Sequence, residues 1–180
     1  MTESLLAFTN NTRFLPDYHK RLLRSDAVID VDPGDLIRLR EYHISLVVDL
    51  RTEAEARILP CPLSAYPCFD YFLMPLAAYG GTSAEAYLSM LNAEMLEIIN
   101  TLEKANGNAL YFCHEGRDRS GVVSVLLLMR QGVDDAVIIE DYLYSFRNAS
   151  VERKEAAVKA ITGFMQALHE DASFKRFIQR

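Results

Sequence analysis

The chain carries the run Cys113-His114-Glu115-Gly116-Arg117-Asp118-Arg119-Ser120-Gly121. A cysteine is followed six positions later by an arginine, then by a hydroxyl residue and a glycine. These residue types at this spacing suit attack by a thiolate on a phosphoryl group. A thiol becomes a good nucleophile only when it loses its proton, and a helix N-terminus with a nearby guanidinium favours that loss. Arg119 supplies the guanidinium. Its planar fork can also bind two phosphoryl oxygens at once, where a lysine would offer only a point charge. Gly116 lets the backbone turn its amides inward. Ser120 is placed to hydrogen-bond the sulfur and help it leave. The expected reaction is transfer of a phosphoryl group to Cys113, followed by hydrolysis of the phosphocysteine. A ring of amides and Arg119 would offset the repulsion between thiolate and dianionic ester. The scheme calls for no metal and no other cofactor. His114, Glu115, Gly116, Arg117, Ser120 and Gly121 are the expected substrate-binding residues.

Two elements must position this loop. Ala109-Leu110-Tyr111-Phe112 has strand character, and Val122 to Met129 is long and apolar enough for a buried helix. A strand, a tight loop and a helix N-terminus in that order form an anion site, because unpaired amides and the helix dipole point at one spot. Around this unit the pattern alternates. Asp32-Pro33 reads as an N-cap with proline in the first helical turn, and the helix continues through Leu36, Ile37, Leu39 and Arg40. Ser45 to Leu50 reads as a strand buried on both faces. Glu53 to Arg57 begins a short helix, and Tyr71 to Met74 is a second short strand. Thr82-x-x-Glu85 is a capping box before one long helix with Leu88, Leu91, Met95, Ile98 and Leu102 on its core face. Gly132 closes the loop's helix; Asp134 to Phe146 and Val151 to Leu168 are further helices. Residues 1–25 are mixed, with turn signals, and read as an N-terminal extension. The fold class is therefore α/β: a central, mostly parallel sheet flanked by helices on both faces, in one domain spanning 1–180.

The whole-chain properties narrow the function. The chain has 180 residues, half of them hydrophobic and 24% charged, as expected of one globular domain. Its formal net charge of -6 comes without a basic stripe, which argues against nucleic acid as a partner. No apolar stretch is long enough to span a bilayer and no signal peptide is apparent, so no stable membrane insertion is expected. Three cysteines, Cys61, Cys68 and Cys113, fit a reducing, cytoplasmic setting. Cys61 and Cys68 lack zinc-site spacing. They read as ordinary loop cysteines, with a disulfide to oxidised Cys113 as the second possibility. Tyr79, Tyr87 and Tyr142 either line a pocket for an aromatic ring or pack at helical spacing.

With these residues in place, the sequence resembles the cysteine-dependent tyrosine phosphatase superfamily. It is most similar to the bacterial and fungal branch whose loop reads His-Cys-x-x-Gly-Lys-Asp-Arg-Thr-Gly. Leu22-Leu23-Arg24-Ser25-Asp26-Ala27 resembles that branch's early "RS" segment. Val47-Val48-Asp49-Leu50-Arg51-Thr52-Glu53-Ala54-Glu55 is similar to its "DLR(S/T)xxE" strand end. Met74-Pro75-Leu76 and the segment from Gly132 to Leu143 resemble its later elements. The resemblance covers about residues 10 to 160 and implies a protein tyrosine phosphatase-like fold. Phe112 stands where the family usually has histidine, Arg117 replaces the loop lysine, and His114 and Glu115 occupy positions that are usually less polar.

A carboxylic acid that protonates the leaving oxygen speeds release of a phenol. The resemblance makes Asp118 the candidate. Asp49, at a strand end where parallel sheets build their sites, and Asp70 are reserves. Asp49 and Arg51 read equally as a structural ion pair bracing the loop. The substrate expected first is phosphotyrosine in a protein. A phosphoinositide or inositol phosphate is the alternative, since Arg117 adds a cation. Two readings lie outside phosphatase catalysis: a catalytically weak phosphate-binding module, and a sulfur carrier of the rhodanese type.

Overall fold

The computed structural model describes residues 4–77 and 81–179. In chain order, the strands are β1 (Arg13–Phe14), β2 (Leu22–Ser25), β3 (Ile44–Asp49), β4 (Asp70–Leu73) and β5 (Asn108–Phe112). Among the described residues they form one sheet in the order β1-β2-β5-β3-β4. β1 pairs antiparallel with β2; every other pairing is parallel. The loop's strand, β5, is therefore central, flanked by β2 and β3. The helices are α1 (Pro33–Glu41), α2 (Glu53–Ile58), α3 (Ala84–Ser89), α4 (Ala93–Glu103), α5 (Arg119–Arg130), α6 (Asp135–Tyr144), α7 (Val151–Glu170) and α8 (Lys175–Ile178).

Strand side chains alternate between faces, and the two cores follow that period. Ala109 and Tyr111 of β5, with Leu46 and Val48 of β3, pack into a large core against α3 to α8. Leu110 and Phe112, with Val47 and Leu23, pack into a smaller core with Leu39 of α1, Leu63 and the N-terminal Leu6. The sheet is thus covered on both faces, as the alternation of elements predicts. No described helix is long and apolar enough to cross a membrane.

Three local expectations need correction. The turn-rich N-terminal stretch contains two strands, because β2 gains its ladder from β5 and β1 gains its ladder from β2 rather than from local propensity. The long helix after Thr82 is two helices. Asn92 interrupts it by accepting the Met95 amide as an N-cap, a role in which asparagine competes with helix continuation. The cap of α3 is Ser83, which accepts from Ala86; Thr82 turns elsewhere.

Candidate active site

Cys113 follows β5 directly and is 2% exposed. α5 begins at Arg119, so residues 114–118 make the turn between them. The Cys113 sulfur lies 3.4 Å from the Ser120 hydroxyl at the helix start. Side chains cap the N-termini of α1, α2, α3, α4, α6 and α7. At α5 the N-cap residue is Asp118, which makes no side-chain bond to the helix. The amides of α5 nearest Cys113 are left for another acceptor.

The loop carbonyls are held from outside. The carbonyl of Gly116 accepts from Asn11 at 2.7 Å and from Arg24 at 3.0 Å. That of Arg117 accepts from Arg24 at 3.2 Å, and that of His114 from the Ala27 amide at 3.0 Å. No peptide bond among the described residues is cis. In a trans peptide the N–H points opposite to the C=O. The amides of Glu115, Arg117 and Asp118 therefore point away from these anchors. Arg24 is fully buried and pairs with Asp141 of α6 at 2.8 Å; Arg13 reaches the same carboxylate at 2.8 Å. Gly116 has φ +65°, and a Cβ there would lie 2.6 Å from the Asp26 amide nitrogen. Gly121 admits Arg24 and the Tyr142 ring, each 3.1 Å from where a Cβ would stand.

Arg119 is held by a residue that the sequence reading left without a role. Its two terminal nitrogens donate to the two oxygens of Glu55, each at 2.7 Å. Burial works against the charge on Arg119, but Glu55 and the neighbouring Cys113 outweigh it and raise its pKa. The same bonds hold the Glu55 carboxyl at about 2, against burial, with help from Thr52. Glu55 also closes the capping box of α2 with Thr52. In the sequence Glu55 shows only in that box and as the last residue of the "DLR(S/T)xxE" resemblance, and neither points to Arg119.

Asp118 is half-buried. Its Oδ1 accepts from the Thr82 hydroxyl at 2.9 Å and from the Tyr87 hydroxyl, which is itself bonded to Tyr142. Both tyrosines are fully buried, so they pack behind the site and do not line a pocket. Burial is the largest cause that raises the pKa of both phenols, and the nearby Asp118 carboxylate adds to it. Tyr79 lies outside the described residues.

The reserve carboxylates do not join the cluster. Asp49 and Arg51 are both fully buried and bond each other, with Arg51 donating to Oδ2 at 2.6 Å and to Oδ1 at 2.9 Å. Tyr71 adds a bond to Asp49 at 2.8 Å. Arg51 also lies over the Phe112 ring, 5.2 Å from its centroid, and donates to the Leu59 carbonyl. The pair braces the strand end beside the loop. Asp70 opens β4 opposite Leu46, whereas the loop end of the sheet is the level of Asp49, Leu73 and Phe112. Three residues of strand, roughly 10 Å, separate Asp70 from that level.

At the rim, Glu115 is exposed and ion-pairs with Arg117 at 3.2 Å and Arg153 at 3.6 Å. Arg117 also donates to the Ser145 carbonyl at 3.2 Å. His114 is exposed beside them. The other two cysteines lie outside the loop. Cys61 packs in the smaller core on the opposite face of the sheet from Cys113. Cys68 precedes β4 at the far edge of the sheet. All three cysteines are free thiols. No group of three or more potential metal ligands occurs among the described residues.

A doubly covered sheet with a cysteine, an uncapped helix N-terminus and a clamped arginine at its centre defines the class of protein tyrosine phosphatase-like α/β proteins. Residues 18–178 match the model of the tyrosine phosphatase family, and the chain belongs to that family. A tyrosine-protein phosphatase of Nostoc commune is 26% identical over an alignment of 150 residues that covers 74% of this chain and 51% of the relative. The chain thus spans about half the length of that curated relative. Among solved structures, P. aeruginosa TpbA aligns with a TM-score of 0.53 at 18% identity, covering 80% of each chain. A cysteine-to-serine TpbA in complex with pTyr aligns at 0.51 and 18% identity, over 84% of this chain and 88% of that one. Tk-PTP, in a glycine-to-alanine form, aligns at 0.52 and 19% identity, over 89% and 98%. At these identities the likeness is one of fold.

Proposed function

We propose that this chain hydrolyses phosphate monoesters, with phosphotyrosine in proteins as the preferred substrate, through a phosphocysteine on Cys113. The observation that carries this reading is the arrangement of three groups: Cys113, the open amides of the loop and α5, and Arg119 fixed by Glu55. In the first step the Cys113 thiolate attacks phosphorus and the bond to the leaving oxygen breaks. Arg119 and the amides hold the three non-bridging oxygens as charge builds. Asp118 gives its proton to the leaving phenolate. In the second step water attacks the phosphocysteine and passes a proton to Asp118. The S–P bond breaks, inorganic phosphate leaves, and Ser120 donates a hydrogen bond to the departing thiolate.

The family membership and the complex of TpbA with pTyr support a phosphotyrosine substrate. Arg117 is ion-paired with Glu115, so its charge is largely committed. This favours a single phosphate over a bisphosphorylated lipid or inositol phosphate. Retention of Cys113 and Arg119, both in place, favours catalysis over passive phosphate binding. Phosphate release rather than sulfide release separates the reading from sulfur transfer. The test is turnover of p-nitrophenyl phosphate with and without vanadate and a chelator, beside a phosphotyrosine peptide, a phosphoserine peptide and a phosphoinositide. Vanadate should inhibit and the chelator should not; the phosphotyrosine peptide should be turned over fastest. Undiminished activity in Cys113→Ser would overturn the proposal.

A further inference from the structure

We infer that Tyr87, with Thr82 beside it and Tyr142 behind it, is a positioning residue that fixes which oxygen of Asp118 carries the catalytic proton. The inference rests on Asp118 being the general acid and goes one step beyond it.

Asp118 occupies the N-cap position of α5, where an aspartate ordinarily turns back to the helix amides. Its carboxylate leaves the helix instead. Oδ1 accepts two hydroxyl protons, from Thr82 at 2.9 Å and from Tyr87. A phenol has one proton. With Tyr87 donating to Asp118, the Tyr87–Tyr142 bond takes its proton from Tyr142. The chain of donors therefore runs from Tyr142 to Tyr87 to Asp118. It ends on Oδ1, which two donors fill, and Oδ2 keeps its lone pairs for the proton that passes to the leaving oxygen.

The chain is rigid because packing holds each ring. Tyr87 meets Tyr142 edge-on at 6.1 Å between centroids and Phe164 of α7 at 5.8 Å. Both phenols are fully buried, so water does not compete for their bonds. The second torsion of an aspartate is broad and roughly two-fold. Without the Tyr87 hydroxyl, the carboxyl is free to exchange its two oxygens or to fall back onto the uncapped start of α5. Either movement misplaces the proton.

The experiment compares kcat and KM for wild type, Tyr87→Phe, Asp118→Asn and the double variant. One substrate is a phosphotyrosine peptide, whose leaving group needs a proton. The other is p-nitrophenyl phosphate, whose leaving group departs without one. Tyr87→Phe keeps the ring and removes the hydroxyl. It should lower kcat on the peptide about tenfold, and on p-nitrophenyl phosphate less than about twofold, with KM unchanged. The double variant should be no slower than Asp118→Asn alone. If Asp118→Asn slows both substrates equally, Asp118 is not the acid, and the inference falls with that reading. If Asp118→Asn discriminates between substrates and Tyr87→Phe does not, or if the two losses multiply in full, the positioning role alone is overturned. Should Tyr87→Phe fail to fold, Thr82→Val removes the other donor to Oδ1 and must show the same preference for the peptide loss.

Discussion

Arg119 can orient a phosphoryl group only if something orients Arg119, and Glu55 does so through two parallel bonds of 2.7 Å. Charge-assisted hydrogen bonds are worth about 1.5–3 kcal/mol each, and roughly 1.4 kcal/mol is tenfold in rate. Glu55→Gln keeps one bond at most in good geometry. Its kcat/KM should fall about tenfold to a hundredfold, and steady-state kinetics showing less than about a twofold change would remove Glu55 from this role. The pair also has a pH signature. The Glu55 carboxyl sits at about 2, below its ordinary 4.5. A depressed carboxyl contributes stability that is fully present above its unfolded pKa and is lost as pH falls through its folded one. Urea midpoints of wild type and Glu55→Gln should therefore differ by a constant amount above pH 4.5 and converge as pH falls toward about 2. Cysteines give a second residue-scale test. Burial pushes the Cys61 thiol up to about 11, while Cys68 is exposed. At about pH 8, where an ordinary thiol is partly ionised, a disulfide reagent should label Cys68 promptly and Cys61 only after unfolding. Mass mapping of the labelled peptides reads the order.

At the scale of elements, the site is a strand end and a helix start joined by a loop whose outer carbonyls are tied down. The strand, the loop and the helix were legible because they are contiguous: nine consecutive residues carry thiol, turn, cation and hydroxyl. The partners that aim them were not. Glu55 lies 64 residues from Arg119, and Arg24 lies 92 from Gly116. Buried polar pairing across such separations leaves no periodic mark in a single sequence. The "DLR" and "RS" segments drew notice only by resemblance, and so did Asp118 as the candidate acid, while its partners Thr82 and Tyr87 stayed unseen. Asn92 splitting the expected long helix is the opposite case, a local signal that the apolar stripe masked. Gly116 joins both levels, because its turn is visible in the sequence and its contact with Asp26 is not. Gly116→Ala would need a left-handed backbone and would overlap the Asp26 amide at 2.6 Å. Strain of this kind costs about 1–2 kcal/mol for the backbone and about 1–3 kcal/mol for overpacking. The variant should lose about 2–5 kcal/mol in urea unfolding and most of its activity; wild-type stability would contradict the tight approach.

Across the whole molecule, the N-terminal segment is part of the machine that shapes the loop, although the family match begins at residue 18. Leu6 and Leu15 are buried in the two different cores, so the segment wraps the sheet from one face to the other. Asn11 holds the Gly116 carbonyl and also bonds Ser145 at 3.0 Å. Arg13 shares Asp141 with Arg24, and Asp141 is 5% exposed at its side chain. A chain starting at Tyr18 loses all four residues and β1. Burying a leucine is worth about 1.5–3 kcal/mol, and breaking one arm of a buried ion-pair group costs about 3–5 kcal/mol. The sum is a large part of the roughly 5–15 kcal/mol that holds a domain together. The truncated chain should melt far below the full chain or fail to fold. An intermediate variant separates stability from loop shape. Asn11→Ala removes one of the two donors to the Gly116 carbonyl while keeping both leucines and Arg13. It should lower stability by about 1–3 kcal/mol, the cost of a buried bond left unmade, and should raise KM more than it lowers kcat, because in the proposed reaction the loop amides would bind the phosphate in ground and transition states alike. Thermal melts and kinetics on the same preparation check both; a variant with wild-type KM would mean that Arg24 alone sets the loop.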